Sequence, residues 1–162
     1  MEVLTAYVRN KSPLPKGWLE TPVEKRKSLP AVTTDVQSAL TVIGRREAKN
    51  DLMFKRLVLG QSNLSSAQLG NADLDGADLT DANLTGADLS ETIALAVDFQ
   101  QAKALTQQQL EGEKPPLLCN VVLPKGMQVN PNRDCDRLPQ KLVERHDFKS
   151  LDEAKKYVDE QR

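Results

Sequence analysis

Residues 62–91 read Ser62-Asn63-Leu64-Ser65-Ser66, Ala67-Gln68-Leu69-Gly70-Asn71, Ala72-Asp73-Leu74-Asp75-Gly76, Ala77-Asp78-Leu79-Thr80-Asp81, Ala82-Asn83-Leu84-Thr85-Gly86 and Ala87-Asp88-Leu89-Ser90-Glu91. A leucine stands at the centre of every pentapeptide. Neither the 3.6-residue period of a helix nor the two-residue period of a strand keeps every fifth side chain on one side. A chain that turns a corner every five residues does, and four such corners close a square coil of twenty residues. The expected core is therefore the column Leu64, Leu69, Leu74, Leu79, Leu84 and Leu89.

Outward from that stretch, the same register places centres at Phe54 and Leu59 on one side and at Ala94, Phe99 and Ala104 on the other. Two residues before each centre the residue is alanine from Ala67 to Ala87. Two side chains per pentapeptide thus point inward, and a narrow tube admits one large and one small. Asn71, Gly76, Asp81 and Gly86 occupy the last position, where a tight corner favours positive φ. The pattern weakens at Thr92-Ile93-Ala94-Leu95-Ala96 and resumes at Val97-Asp98-Phe99.

This arrangement resembles the pentapeptide-repeat proteins, whose motif is A-(D/N)-L-X-X, and the resemblance covers about a third of the chain, residues 52–105. It implies a β-solenoid, a right-handed quadrilateral β-helix of roughly three coils and only ~13 Å long at the spacing of neighbouring strands. Residues 1–9 and 39–46 resemble segments that precede the repeats in cyanobacterial members. In longer relatives this region follows membrane-spanning helices, so the chain is read either as complete or as the soluble portion of such a protein.

The expected organisation is an α-helical N-terminal cap with a Pro-rich linker over 1–51, the repeats over 52–106, and a mixed α/β C-terminal segment over 107–162. A short tube has two open ends, which the flanks must cover. Leu52, Phe54 and Leu57 are expected to plug one end, Val97 and Phe99 the other. Residues 1–10 read as a helix. The capping box Thr34-x-x-Gln37 opens a second, expected over 35–48, and residues 11–30 between them read as extended linker. Trp18 is expected to anchor that linker to the tube or to the first helix. Downstream, Thr106-x-x-Gln109 begins a short helical turn, residues 117–129 suggest a hairpin around Pro124-Lys125-Gly126, and Ser150-x-x-Glu153 opens a last helix.

Charge is unevenly spread. Residues 1–56 hold 11 Lys/Arg against 6 Asp/Glu, residues 57–106 hold 1 against 7, and residues 107–162 balance at 10 and 10. A basic flank beside an acidic middle suggests complementarity within the chain before it suggests nucleic acid. A single histidine, His146, excludes any site needing two imidazoles, and no catalytic, cofactor-binding or metal-ligating set is present. No apolar run reaches the ~20 residues of a membrane span, and the opening residues lack the pattern of a secretory leader, so the expected location is the cytoplasm.

Two cysteines, Cys119 and Cys135, do not make a metal site, and they form a possible disulfide in an oxidising compartment while remaining thiols in the cytoplasm. Asp134 and Asp136 flank Cys135 and would raise its pKa, which argues against a nucleophilic thiol.

The candidate partner surface is acidic: Asp73, Asp75, Asp78, Asp81, Asp88 and Asp98 point outward in the repeat register. Three readings are open: solvated charge keeping a regular tube soluble, a protein-docking surface, or mimicry of DNA. Stacked Asp78 and Asp98 would be a poor two-carboxylate cation site. The expected function is a non-enzymatic pentapeptide-repeat scaffold, an interaction module for an unidentified protein partner. The alternative, which the resemblance implies, is an acidic DNA mimic acting on a type II topoisomerase, although a ~13 Å tube spans only about four base pairs.

Overall fold

The computed structural model describes residues 1–50 and 56–161. Leu52 and Phe54, expected to plug one end of the tube, lie outside the described residues. The regular elements are α1 (Glu2–Lys11), α2 (Thr34–Gly44), β1 (Ile93–Leu95), α3 (Gln107–Glu111), β2 (Leu117–Cys119), α4 (Leu138–Glu144) and α5 (Leu151–Glu160), with short 3-10 turns at Val23–Lys25 and Ala48–Asn50.

The expected fold class is corrected. Helices supply most of the regular structure, and the one continuous ladder among the described residues is an open, two-stranded parallel sheet, β1 with β2. Among the described residues no closed β-helix wall is built. Successive turns of the repeat segment meet instead at single parallel bridges twenty residues apart, Asn63 with Asn83, Gln68 with Asp88, Asp73 with Ile93 and Asp78 with Asp98.

The corners explain why the strands stay so short. Residues Gln61, Ser66, Asn71, Gly76, Asp81, Gly86, Glu91, Ala96 and Gln101 all have φ between 53° and 65°. A left-handed residue at every fifth position ends each extended run before a ladder can grow. The leucine column nevertheless faces inward: Leu64, Leu69, Leu74, Leu79, Leu84 and Leu89 are no more than 2% exposed. Each contributes about 1.5–3 kcal/mol of burial.

The N-terminal end of this coil is closed by three different devices. Pro13 bridges Ser62 in antiparallel fashion, and Asn63 N–H donates to Ser12 O at 2.7 Å. Arg9 donates to the Val58 carbonyl. The side-chain amide of Gln37 imitates a strand, donating to Gln68 O at 2.9 Å and accepting from Gln68 N at 2.8 Å. The capping box expected at Thr34 is therefore absent, because Gln37 is occupied on the coil and Thr33 becomes the N-cap.

Helix α2 also stops earlier than expected, at Gly44. There a Cβ would lie 2.6 Å from Ala72 Cβ, and Gly44 O accepts from Asp73 N at 2.8 Å. Only a residue without a side chain brings the helix end onto the coil edge. Tyr7 ties α1 to α2 by donating to Asp35 at 2.6 Å. The hydroxyls of Thr33 and Tyr7 together hold the Asp35 carboxyl down at about 2.

At the other end the Thr106–Gln109 capping box forms as expected, and the Gln109 amide also donates to Leu84 O and Ala87 O, at 3.0 and 2.8 Å. The expected hairpin over 117–129 is corrected: β2 pairs in parallel with β1, Ile93 opposite Leu117 and Leu95 opposite Cys119. The partners lie 24 residues apart because α3 is inserted into that turn. Pro124 and Met127 still close a local turn, with Gly126 at φ 87°.

A second core lies outside the coil. Ile93 and Leu95 occupy outward positions, yet both are buried, packed with Leu117, Leu138, Leu142, Ala154 and Val158. The apparent weakening of the repeat at residues 92–96 is thus the place where α4 and α5 dock. Ala94, the small centre of that pentapeptide, remains inside the coil with Leu118.

Candidate functional site

The repeat carboxylates and carboxamides first serve the backbone. Asp73, Asp78, Asp88 and Asp98 each accept, through Oδ1, the N–H two residues on, at 2.9, 2.9, 2.9 and 2.7 Å. Asn63 and Asn83 do the same for Ser65 and Thr85 at 3.2 and 3.3 Å. A corner that needs a local acceptor explains why aspartate or asparagine precedes so many of the leucines.

The six acidic residues do not share one environment. Asp78 and Asp98 are neighbours across a bridge and half-exposed, Asp88 faces Gln68, and Asp81 pairs with Lys103 at 2.9 Å. Asp73 and Asp75 are buried, 3% and 8% exposed, beneath both flanks of the chain.

Around Asp73 and Asp75 three parts of the molecule meet. From the N-terminal side, Arg46 donates to the carbonyls of Asp73 and Asp75, the latter at 2.6 Å, and its guanidinium lies 3.9 Å from the Asp73 carboxylate. From the C-terminal side, the Tyr157 hydroxyl donates to the Asp75 carboxylate, and Arg145 donates to Asn71 O at 3.0 Å. Lys49 then links the two flanks directly, donating to Asp147 O and sitting 5.1 Å from the Phe148 ring. Phe148 stacks obliquely on Tyr157 with centroids 5.0 Å apart.

Burial sets the electrostatics of this seam. Desolvation pushes the Asp73 carboxyl up from its ordinary value, and Arg46 opposes the shift without cancelling it. Desolvation likewise raises Asp147, against Arg145. Tyr157 is raised by burial and then by the charge of Asp75 beside it, so its hydroxyl stays a proton donor. The repeat register points Asp73 and Asp75 outward but does not mark Arg46, Arg145 or Tyr157 as their neighbours. The available signal was Ile93 and Leu95, two apolar residues at outward positions on that face.

Cys119 and Cys135 are joined by a disulfide that ties β2 to the start of α4. Beside it, Asp134 accepts from Leu118 N at 3.0 Å and from Arg133 Nε at 3.0 Å, while Arg133 also donates to Leu110 O and Pro116 O, at 2.9 and 2.6 Å. These bonds fix one wall of a cleft of about 610 Å³ over Pro115, Pro116 and Leu117. Trp18 lines a smaller hollow, about 320 Å³, with Arg9, Gly60 and Gln61, and Arg26 sits 4.7 Å above its ring.

The expected interaction module and its DNA-mimic alternative are both corrected. Among the described residues no closed β-helix rod presents the acidic residues, and Asp73 and Asp75 lie under the flanks. Among the described residues no group of three or more His, Cys, Asp or Glu is placed to hold a metal ion, and no helix is long and apolar enough to cross a membrane.

Comparison with known families finds pentapeptide repeats, in eight copies, over residues 62–103. The chain therefore carries a pentapeptide-repeat domain over that span. No curated protein and no solved structure matches the chain.

Proposed function

We propose that this chain, a carrier of pentapeptide repeats, is a non-enzymatic structural clamp: one coil face holds the preceding and following segments in a single fixed arrangement. The observation that carries this reading is the seam in which the two flanks meet on Asp75: Arg46, from before the repeats, donates to the carbonyls of Asp73 and Asp75, and Tyr157, from after them, donates to the Asp75 carboxylate. Breaking either grip removes hydrogen bonds from buried polar groups, so the seam favours the closed arrangement over partial opening. Phrases at residues 1–9 and 39–46 support membership of the cyanobacterial type. The closed disulfide supports an oxidising compartment in place of the cytoplasm.

A double-mutant cycle tests the clamp. Arg46→Met and Tyr157→Phe should couple by about 0.5–3 kcal/mol in unfolding free energy, as groups sharing one network do. Strict additivity would mean that the two flanks attach to the coil independently, and the clamp would be abandoned.

A further inference from the structure

The cleft over Pro115, Pro116 and Leu117 is not used by the seam, and its charge is uneven: residues 91 and 111–114 bring three carboxylates and one cation, residues 133–141 three cations and one carboxylate. Arg137, the N-cap of α4, and Lys141, about one turn on, have side chains 78% and 54% exposed. Each has only a partial claim on it: Arg137 lies 3.4 Å from Asp134, which Arg133 already satisfies, and Lys141 lies 3.1 Å from the exposed Glu144. The same cleft is lined, from the segments before Pro115, by Glu91, Glu111 and Glu113, which outnumber the one cation there, Lys114, and which no ion pair engages among the described residues. The row of Arg137 and Lys141 continues, past Leu117, into a second hollow of about 340 Å³ that Gln140 and Glu144 also line.

We propose that this groove binds an extended peptide segment of mixed charge, seating an acidic side chain on Arg137 and Lys141 and a basic one against Glu91 and Glu113. Charge complementarity selects this occupant. A polyanion such as nucleic acid would meet the carboxylates, and a purely basic segment would meet the cations, whereas a segment carrying both signs satisfies each wall. The volume falls in the range of ligand sites. Helix α4 is about 10 Å long, which matches three or four residues of extended chain at about 3.3 Å each.

Recognition must come from side chains. The free edge of β2 is already taken, since Asp134 N donates to Leu118 O at 2.9 Å and Leu118 N donates to the Asp134 carboxylate. Pro115 and Pro116 have no N–H to offer, so a peptide cannot add itself as a strand there. The walls need little reorganisation on binding, because the disulfide, Arg133 and Asp134 hold them in place before any ligand arrives.

The test is amide-shift mapping of the labelled full chain against four synthetic eight-residue peptides: alternating Glu/Lys, all Glu, all Lys and uncharged Gly/Ser. The alternating peptide should shift signals at Leu117, Arg137, Lys141 and Glu113, and bind at least about tenfold more tightly than the other three. Reversing one wall with Arg137→Glu and Lys141→Glu should weaken it by about tenfold or more, as should Glu113→Lys on the opposite wall. All three positions are exposed, and an unchanged melting temperature shows that the fold is kept. The proposal is overturned if no peptide shifts those signals at millimolar concentration, if the uncharged peptide binds as well, or if the all-Glu peptide or an oligothymidine binds more tightly.

Discussion

Two outward columns of the same coil have opposite fates. One runs Asp73, Ile93, Leu117 and is buried beneath α4 and α5; the other runs Val58, Asp78, Asp98, Val122 and stays at the surface. Both are built from pentapeptides with the same left-handed corners and the same inward leucines. The backbone therefore does not decide which face acquires a partner. The outward side chains do, and on the buried column the decisive ones are Ile93 and Leu95.

The largest expected effect separates the two columns by one charge placed at equivalent positions. Leu95→Asp would leave a carboxylate in the second core without a partner and should cost about 4 kcal/mol or more, releasing α4 and α5 from the coil. Gln100→Asp, one face further on and exposed, should change stability by no more than about 0.5 kcal/mol. Urea denaturation of the two variants side by side checks the contrast.

Next comes the junction of α2 with the buried column. Gly44→Ala forces a methyl against Ala72 and should cost about 1–3 kcal/mol. Equal melting temperatures for Gly44→Ala and the parent would mean that α2 does not end on the coil edge.

A pH series sharpens the comparison further, because the groups involved have opposite signs. The folded pKa of Asp73 is raised, so its contribution is fully present below its ordinary value near 4 and is lost as pH rises through the folded value. Asp147, raised for the same reason, acts in the same direction. Asp35 is held at about 2, so its contribution is present above its ordinary value and disappears as pH falls toward 2. Asp73→Asn keeps the acceptor for Asp75 N and removes the penalty. Its stability should fall less than the parent's as pH rises from about 4 to about 7, and an unchanged profile would mean that Asp73 is not buried in the seam.

The smallest effect concerns the corners. Ala96 has φ 53°, a conformation that costs a residue with a side chain about 1–2 kcal/mol. Part of that is offset by the greater unfolded freedom of glycine, so Ala96→Gly should stabilise the chain by about 0.5 kcal/mol. A loss of stability instead would show that the Ala96 methyl packs where the turn joins the second core.

Much of this was legible in the repeat. The inward leucines, the corners at Asn71, Gly76, Asp81 and Gly86, and the adjacency of Asp78 to Asp98 all follow from a period of five. That period also misled, because a regular sequence motif suggested continuous sheet walls, while its own corners limit each face to a single bridge. The flanks were harder to read. Gln37 looked like a helix-capping residue because a capping box is a local pattern, whereas its contact with Gln68 spans 31 residues. The seam was invisible for the same reason: Arg46, Asp75 and Tyr157 are joined by folding alone, across as many as 82 residues. Thr92-Ile93-Ala94-Leu95-Ala96 held the one usable clue, a repeat that departs from its pattern by turning apolar on the outside.

Methyl-to-methyl nuclear Overhauser contacts in solution test the cladding of that column most directly. Contacts are expected from Ile93 and Leu95 to Leu142 and Val158, and none from Val58 or Val122 to either helix. Ile93 and Leu95 methyls without a helical neighbour, or facing the Leu74–Leu79 interior, would contradict it.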